Sequence, residues 1–215
     1  MQVKTIWSSL SWLIMVAVLL ASCAPKTIPE TSKTVLYSDD FSDVSSGWNT
    51  FEDEEGWVHY EKGWLHVLNV TSSEGYTFSS ANQHFTDFIL EVETKLVGGT
   101  DDNFQIVLAR FKDSGNSYRF AISADGYYYI VVKTEGSKHI LVESTRSSHI
   151  HQGLDAVNLV RVECVGDTLR MSVNGHLLQE VTDNRLRSGD IGLAAASYAD
   201  TLTEVAFDNI MITVP

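Results

Sequence analysis

From Val35 to the C-terminus, apolar and polar residues alternate with a period of two rather than 3.6. The alternation is plain in FILEVETKL, FQIVLARF, SYRFAIS, YYYIVV, HILVES, NLVRVECV, TLRMSVN and VAFDNIMITV. Turn-forming clusters separate these runs: GGTDDN, KDSGN, ADG, EGSK, VGD, NG and RSGD. Asn174-Gly175, set between two apolar runs, is the strongest of these signals and predicts a type I′ hairpin turn. Gly166-Asp167 and Asp125-Gly126 predict weaker ones. About a dozen short strands at regular spacing, with no convincing helix, predict an all-β chain folded as a two-sheet antiparallel sandwich or jelly roll. No proline interrupts the stretch from Val35 to Val214, so no strand there lacks a ladder donor.

The stretch GWVHYEKGWLHV, residues 56–67, concentrates aromatic and imidazole side chains. A tight turn at YEKG, with glycine in its last position, predicts a hairpin in which Tyr60 faces Gly63, His59 faces Trp64, Val58 faces Leu65 and Trp57 faces His66. One face then carries Val58, Leu65 and Val67 and suits a core. The other carries Trp57, His59, Trp64 and His66. Three readings of that second face stay open: cross-strand aromatic packing, a platform on which a ligand stacks, and a metal site built on His59 and His66, for which no third ligand has a defined spacing.

The N-terminus has a different character. MQVKTIWSSLSWLIMVAVLLASC places a lysine, an apolar run and small residues ahead of Cys23. That is the layout of a secretory signal, and the run is short for a membrane span of about 20 residues. Leu20-Ala21-Ser22-Cys23 resembles the lipobox of bacterial lipoproteins, which implies a lipid on the Cys23 thiol and an extracytoplasmic domain anchored to the cell envelope. The sequence that follows, APKTIPETSKTV, reads as a tether reaching at most about 40 Å. The expected organisation is a signal peptide over 1–22, a lipidated cysteine and tether over 23–35, and one domain over 36–215. A chain of 215 residues, 44% hydrophobic, suits one domain with a sizeable core.

Charge removes some partners. Fifteen Lys and Arg against 28 Asp and Glu leave a formal net charge of −13. Nucleic acid requires the opposite sign, and anionic lipid headgroups do not attract such a surface. With Cys23 lipidated, Cys164 has no disulfide partner within the chain. Its place in the alternation of NLVRVECV predicts a buried, inert thiol.

Taken in order, DDFSDVSSGW, GWVHYEKGWLHV, DDNFQIVLARFKDSGNSYRFAISADGYY, LVRVECVGDTLRMSVNGHLL, SGDIGLAAAS and FDNIMI resemble the laminin-G-like, concanavalin A-like jelly roll of lectins and glucanases. The similarity is greatest to the bacterial branch of 3-keto-disaccharide hydrolase-like domains, and it spans about Leu36 to Val214. The resemblance implies two stacked antiparallel sheets, ligands on the concave sheet or its rim, and terminal strands side by side, with Asp39-Asp40-Phe41 near Phe207-Asp208-Asn209. It also implies that an arginine such as Arg110 can face the ligand. Tyr118, Tyr127, Tyr128 and Tyr129 follow it, and alternation alone leaves open which of them join it; Tyr118 and Tyr128 are the candidates taken with Arg110.

No catalytic signature stands out: there is no GxSxG, HExxH or phosphate-cradling glycine loop. Glu91 and Glu93 share a strand face, but Leu96 occupies the position where the glucanases of the superfamily place a further acid. The acidic run at 52–55 and the pair His149 and His151 read as exposed loops. Asp39, Asp40 and Asp208 are a candidate structural calcium set, and Asp101, Asp102 and Asn103 a second; capping, Asx-rich turns are the commoner explanation of such residues. The expected function is a non-catalytic binding module for carbohydrate or a cell-envelope partner, with a glycoside-processing hydrolase as the alternative.

Overall fold

A computed structural model describes residues 1–2, 33–71, 75–198 and 202–215. The expected signal peptide, Cys23 and most of the tether lie outside the described residues. Among those described, no helix is long and apolar enough to cross a membrane. The strands in chain order are β1 (Val35–Asp39), β2 (Phe51–Asp53), β3 (Gly56–Glu61), β4 (Trp64–Asn69) and β5 (Thr77–Ser80). Next come β6 (Phe88–Gly98), β7 (Phe104–Asp113), β8 (Asn116–Ser123), β9 (Tyr127–Thr134) and β10 (Ser137–Arg146). The last are β11 (Asn158–Val165), β12 (Thr168–Val173), β13 (His176–Thr182), β14 (Asp190–Ala196) and β15 (Thr203–Thr213).

They form two antiparallel sheets, the jelly-roll sandwich that the alternation predicts. One sheet runs β13-β12-β11-β6-β15-β4-β3-β2, with β1 also paired to β15. The other runs β10-β9-β8-β7-β14-β5. The terminal strands are neighbours, with Asp39 opposite Ile210. Between the sheets lies the main core, where Phe41, Leu65, Phe88, Leu90, Phe120, Ile122, Met171 and Phe207 are buried. Each such side chain contributes about 1.5–3 kcal/mol by leaving water. Cys164 is part of this core, and burial pushes its thiol up to about 12.

Two hairpins show how local chemistry sets register. Asn174 and Gly175 take positive φ, 51° and 81°, and Val173 faces His176; this is the predicted type I′ turn. At the earlier hairpin, Lys62 and Gly63 take φ of 52° and 80°. The loop is therefore two residues, and Glu61 faces Trp64, His59 faces His66 and Val58 faces Val67. Each predicted partner is displaced by two positions. That preserves parity, so Val58, Leu65 and Val67 still face the core.

Parity does fail in β7. Leu108 points to the outer face of its sheet and Ala109 to the core, so strict alternation would send Arg110 outward. Instead Arg110 takes φ 48° and the pairing with β8 and with β14 shifts register there. This bulge turns Arg110 inward. Gly189 makes room for it: a Cβ there would meet the backbone of Arg110 and Phe111 at 2.5 Å.

Candidate functional site

A groove of about 920 Å³ runs over the outer face of the six-stranded sheet, within the size range of small-ligand sites. Ile106, Val131 and Ala196 line it between the aromatic side chains. Gly192, Ala194 and Ala196 of β14 point outward, as does Ala121 of β8. One cross-strand row reads Phe78, Ala194, Ile106, Ala121, Tyr129, aromatic at the ends, with a small residue on either side of Ile106. Tyr76, Phe78, Phe104, Phe111 and Tyr129 pack over the small residues of this face.

The aromatic rings are arranged against one another. Phe104 meets Tyr129 edge-on at 4.9 Å and Tyr198 at 6.0 Å. Tyr198 is 62% exposed, leaving its ring available at the groove mouth. Across the groove Tyr76 packs on Phe78 at 5.5 Å, and the guanidinium of Arg119 lies 4.1 Å above the Tyr76 ring. Burial pushes the Tyr129 hydroxyl up to about 12, with Arg119 nearby pulling it down. Burial also raises Tyr76. Both phenols are therefore neutral donors at physiological pH.

Three polar atoms lining this groove are buried without a hydrogen-bond partner: Tyr76 Oη, Asp102 Oδ1 and Arg119 Nε. An unmade bond of this kind costs about 1–3 kcal/mol, and these three atoms lie beneath the surface that a ligand would touch. At the Asp102 end of the groove, Ser123 Oγ donates to Asp125 Oδ1. Beneath the sheet end, Asn69 Nδ2 donates to Ser197 Oγ at 3.1 Å, and Ser197 Oγ lies 2.8 Å from Thr203 Oγ1. That network ties β4, β14 and β15 together under the groove.

The residues picked from the sequence lie elsewhere. Arg110, Tyr118 and Tyr128 are buried between the sheets, so no ligand reaches them in this arrangement and the expectation that they contact one is corrected. Arg110 donates to the carbonyls of Thr86, Gly166 and Leu186 and to Asp87 Oδ1. Tyr118 donates to Asp183 Oδ1 at 2.6 Å, and Tyr128 to the Leu178 carbonyl at 3.2 Å. Burial raises the Tyr118 hydroxyl well above the usual tyrosine range, and Asp183 adds to the shift. The alternation that sends these tyrosines inward sends Tyr127 and Tyr129 into the groove. The signal that could have found the site is the run Tyr127-Tyr128-Tyr129, whose outward members Tyr127 and Tyr129 line the groove.

Trp57, His59, Trp64 and His66 share the outer face of the nine-stranded sheet, and protein groups occupy them. The Trp57 and His59 rings stack at 4.7 Å. Lys95 Nζ lies 4.6 Å over the Trp64 ring. His66 Nδ1 is 2.8 Å from Glu204 Oε1, and His59 Nε2 is 3.7 Å from Glu52 Oε2. A recess of about 300 Å³ opens beside Trp64, His66 and Lys95. On the same sheet Arg161 Nη1 donates to Glu91 Oε1 at 2.7 Å, and Asn209 Nδ2 to Glu93 Oε2 at 3.3 Å. Glu91 and Glu93 are therefore not groove residues. The His149 ring stacks on His176 at 3.9 Å, and His151 Nδ1 is 2.9 Å from the Val157 carbonyl.

Asp39 and Asp40 each cap their own turn, accepting from the Phe41 and Ser42 amides respectively. Asp208 is close enough for Glu93, Asp40 and Asp39 to add to the burial that raises its carboxyl. Among the described residues no group of three or more His, Cys, Asp or Glu side chains is placed to hold a metal ion, so the expected calcium set is not assembled.

Residues 39–213 match the 3-keto-alpha-glucoside-1,2-lyase-like domain. Among curated proteins none matches the chain. Solved structures share its fold at low identity. A carbohydrate binding module from Bacillus subtilis superposes with a TM-score of 0.64 at 16% identity, covering 78% of this chain and 96% of its own. A Bacillus licheniformis beta-glucanase gives 0.61 at 11%, covering 86% and 100%. A Bacillus subtilis protein with a galectin-like fold gives 0.60 at 12%, covering 84% and 96%.

Proposed function

We propose, for a chain that belongs to the family of 3-keto-alpha-glucoside-1,2-lyase-like domains, that the groove on the six-stranded sheet binds saccharide without transforming it. The observation that carries this reading is one open trough lined by aromatic rings and by charged and polar side chains. Tyr129, Phe104 and Tyr198 offer rings along it, and the C–H faces of a pyranose pack on such rings. Arg119, Lys133 and Lys138 bring donors to the lining of the trough, and Asp102, Asp125 and Glu143 bring acceptors. The likeness of the fold to a carbohydrate binding module supports the same reading.

The domain is carried at the cell envelope by a lipid on Cys23, which the LASC motif and the following tether support. Display on a tether suits capture of a glycan or of a glycosylated envelope partner. Two experiments test these points. A glycan array probed with the purified protein should give binding that Tyr129→Ala removes; binding unaffected by that change would place the ligand elsewhere. Mass spectrometry of membrane-extracted protein should find a diacylglyceryl group on Cys23, and a Cys23→Ser protein that still fractionates with membranes would overturn the anchor.

A second reading, processing of 3-keto glycosides, is favoured by the family match. Its acids and bases would come from Asp102, Asp125 and Glu143, the carboxylates lining the groove. Turnover of disaccharides, their 3-keto forms or β-glucans that disappears in Asp102→Asn or Asp125→Asn would establish it over the binding reading.

A further inference from the structure

We infer that the saccharide bound in this groove is acidic, bearing a carboxylate or sulfate that sits at the end of the groove formed by Arg119, Lys133 and Lys138. The inference rests on the saccharide-binding reading and deepens it. All three cations line the groove. Lys133 and Lys138 stand directly opposite each other across β9 and β10. Across β8 and β9, Ser117 faces Lys133 and Arg119 faces Val131. Arg119 is therefore the diagonal neighbour of Lys133 on the same sheet face, within about 7–8 Å by Cα position.

Three cations lining one groove are an uncommon arrangement in a chain of net charge −13. The ion pairs among the described residues join other groups, and none neutralises these three. Like charges directly opposite on a sheet destabilise it, so the Lys133–Lys138 pair lowers the stability of the unliganded fold. Arg119 is held in place by its stack on Tyr76 and by one long bond from Nη2 to the Ser114 carbonyl, at 3.4 Å. Its Nε is buried and unpartnered. A guanidinium fixed in this way, with donors unspent, matches the flat geometry of a carboxylate.

Of the nearby carboxylates, the exposed Glu135 in the β9–β10 turn forms no ion pair with these cations, and the others are placed elsewhere or engaged. Asp102 and Asp125 belong to the opposite end, where Phe104 faces Ser123. Asp113, in the β7–β8 turn, accepts from the Gly115 amide and from Asn116 Nδ2. Glu143 lines the β10 side, three residues beyond Ile140, the partner of Val131. The groove is thus polarised along its length, and a glycan with an anionic substituent has one orientation that satisfies both ends.

The test uses matched saccharides that differ in charge alone: tetragalacturonate with its methyl ester, and a chondroitin sulfate tetrasaccharide with its desulfated, carboxyl-reduced form. Calorimetric titration should show the charged member of at least one pair binding about tenfold tighter, with an advantage that shrinks as salt rises. Which pair responds tells carboxylate from sulfate. In Lys133→Gln/Lys138→Gln the charged member should lose about that tenfold while the neutral one is unchanged. The unliganded double variant should melt no lower than wild type, since a repulsion has been removed. Equal affinity for charged and neutral members, abolished in both by Tyr129→Ala, overturns this inference and leaves saccharide binding standing. Absence of binding by all four probes and across a glycan array brings down both.

Discussion

Replacing Arg110 by methionine tests whether this arginine braces the fold or serves a ligand. It is fully buried. Its guanidinium joins three loops by donating to the Thr86 carbonyl from Nε and Nη2 at 3.2 and 3.0 Å, and from Nη1 to the Gly166 and Leu186 carbonyls at 2.9 Å each. Nη2 also reaches Asp87 Oδ1 at 3.3 Å. Methionine fills much of the volume but leaves three carbonyls without that donor, at about 1–3 kcal/mol each. Two effects offset part of this. The charge no longer has to be held out of water, and the Asp87 side chain, 45% exposed, can rehydrate. The net loss should be about 3–5 kcal/mol, the range for breaking a buried ion pair by removing one partner. Urea denaturation at neutral pH reads it as a fall in midpoint with an unchanged slope. Arg110→Lys should lose most of the same amount, because an ammonium cannot reach three loops in a fixed fork. A cost below about 1 kcal/mol would refute the argument. So would a stable variant that had lost saccharide binding.

Three further outcomes follow from the same physics. In a Cys23→Ser background the Cys164 thiol, whose pKa is about 12, should not react with a thiol reagent at pH 8 until denaturant is added; prompt reaction in the folded state would contradict its core position. Burial, with Glu93, Asp40 and Asp39 close by, raises the Asp208 carboxyl above its ordinary value. Its contribution to stability is therefore fully present below the unfolded-state pKa and lost as pH rises through the folded one. Asp208→Asn should then be more stable than wild type at pH 7, with the gap closing in acid, and calcium should leave both melting temperatures unchanged; a rise of several degrees with calcium would restore the metal reading of Asp39, Asp40 and Asp208. Trp64→Ala should leave glycan binding intact because Lys95 already covers that ring, and lost binding would return the site to the nine-stranded sheet.

The fold was legible because a half-buried sheet leaves a period-two record in the sequence. The Asn174-Gly175 turn was legible for a chemical reason, the two positive φ values that a type I′ turn needs. Register at Lys62-Gly63 was not, because a non-glycine residue in the left-handed region leaves little mark, yet the split between the two faces survived the displacement. The site was harder to see. Alternation says which residues share a face without saying which face looks inward, so Tyr118 and Tyr128 could be exchanged for Tyr127 and Tyr129. Arg110 was misplaced for a separate reason: a bulge inverts parity locally, and the Gly189 that permits it lies far along the chain. The tryptophans of residues 56–67 drew notice by their chemistry, but partners from distant strands, Glu204 and Lys95, decide what their face does.

The most direct test of saccharide binding on the six-stranded sheet is a residue-resolved NMR titration of the isotope-labelled protein with the oligosaccharide that scores highest on the glycan array. Binding in the groove should give saturable shifts at the amides of β7, β8, β9 and β10, centred on Phe104, Arg119, Tyr129 and Lys138, with no change at β3 and β4. Shifts confined to Trp57, His59, Trp64 and His66 would contradict it.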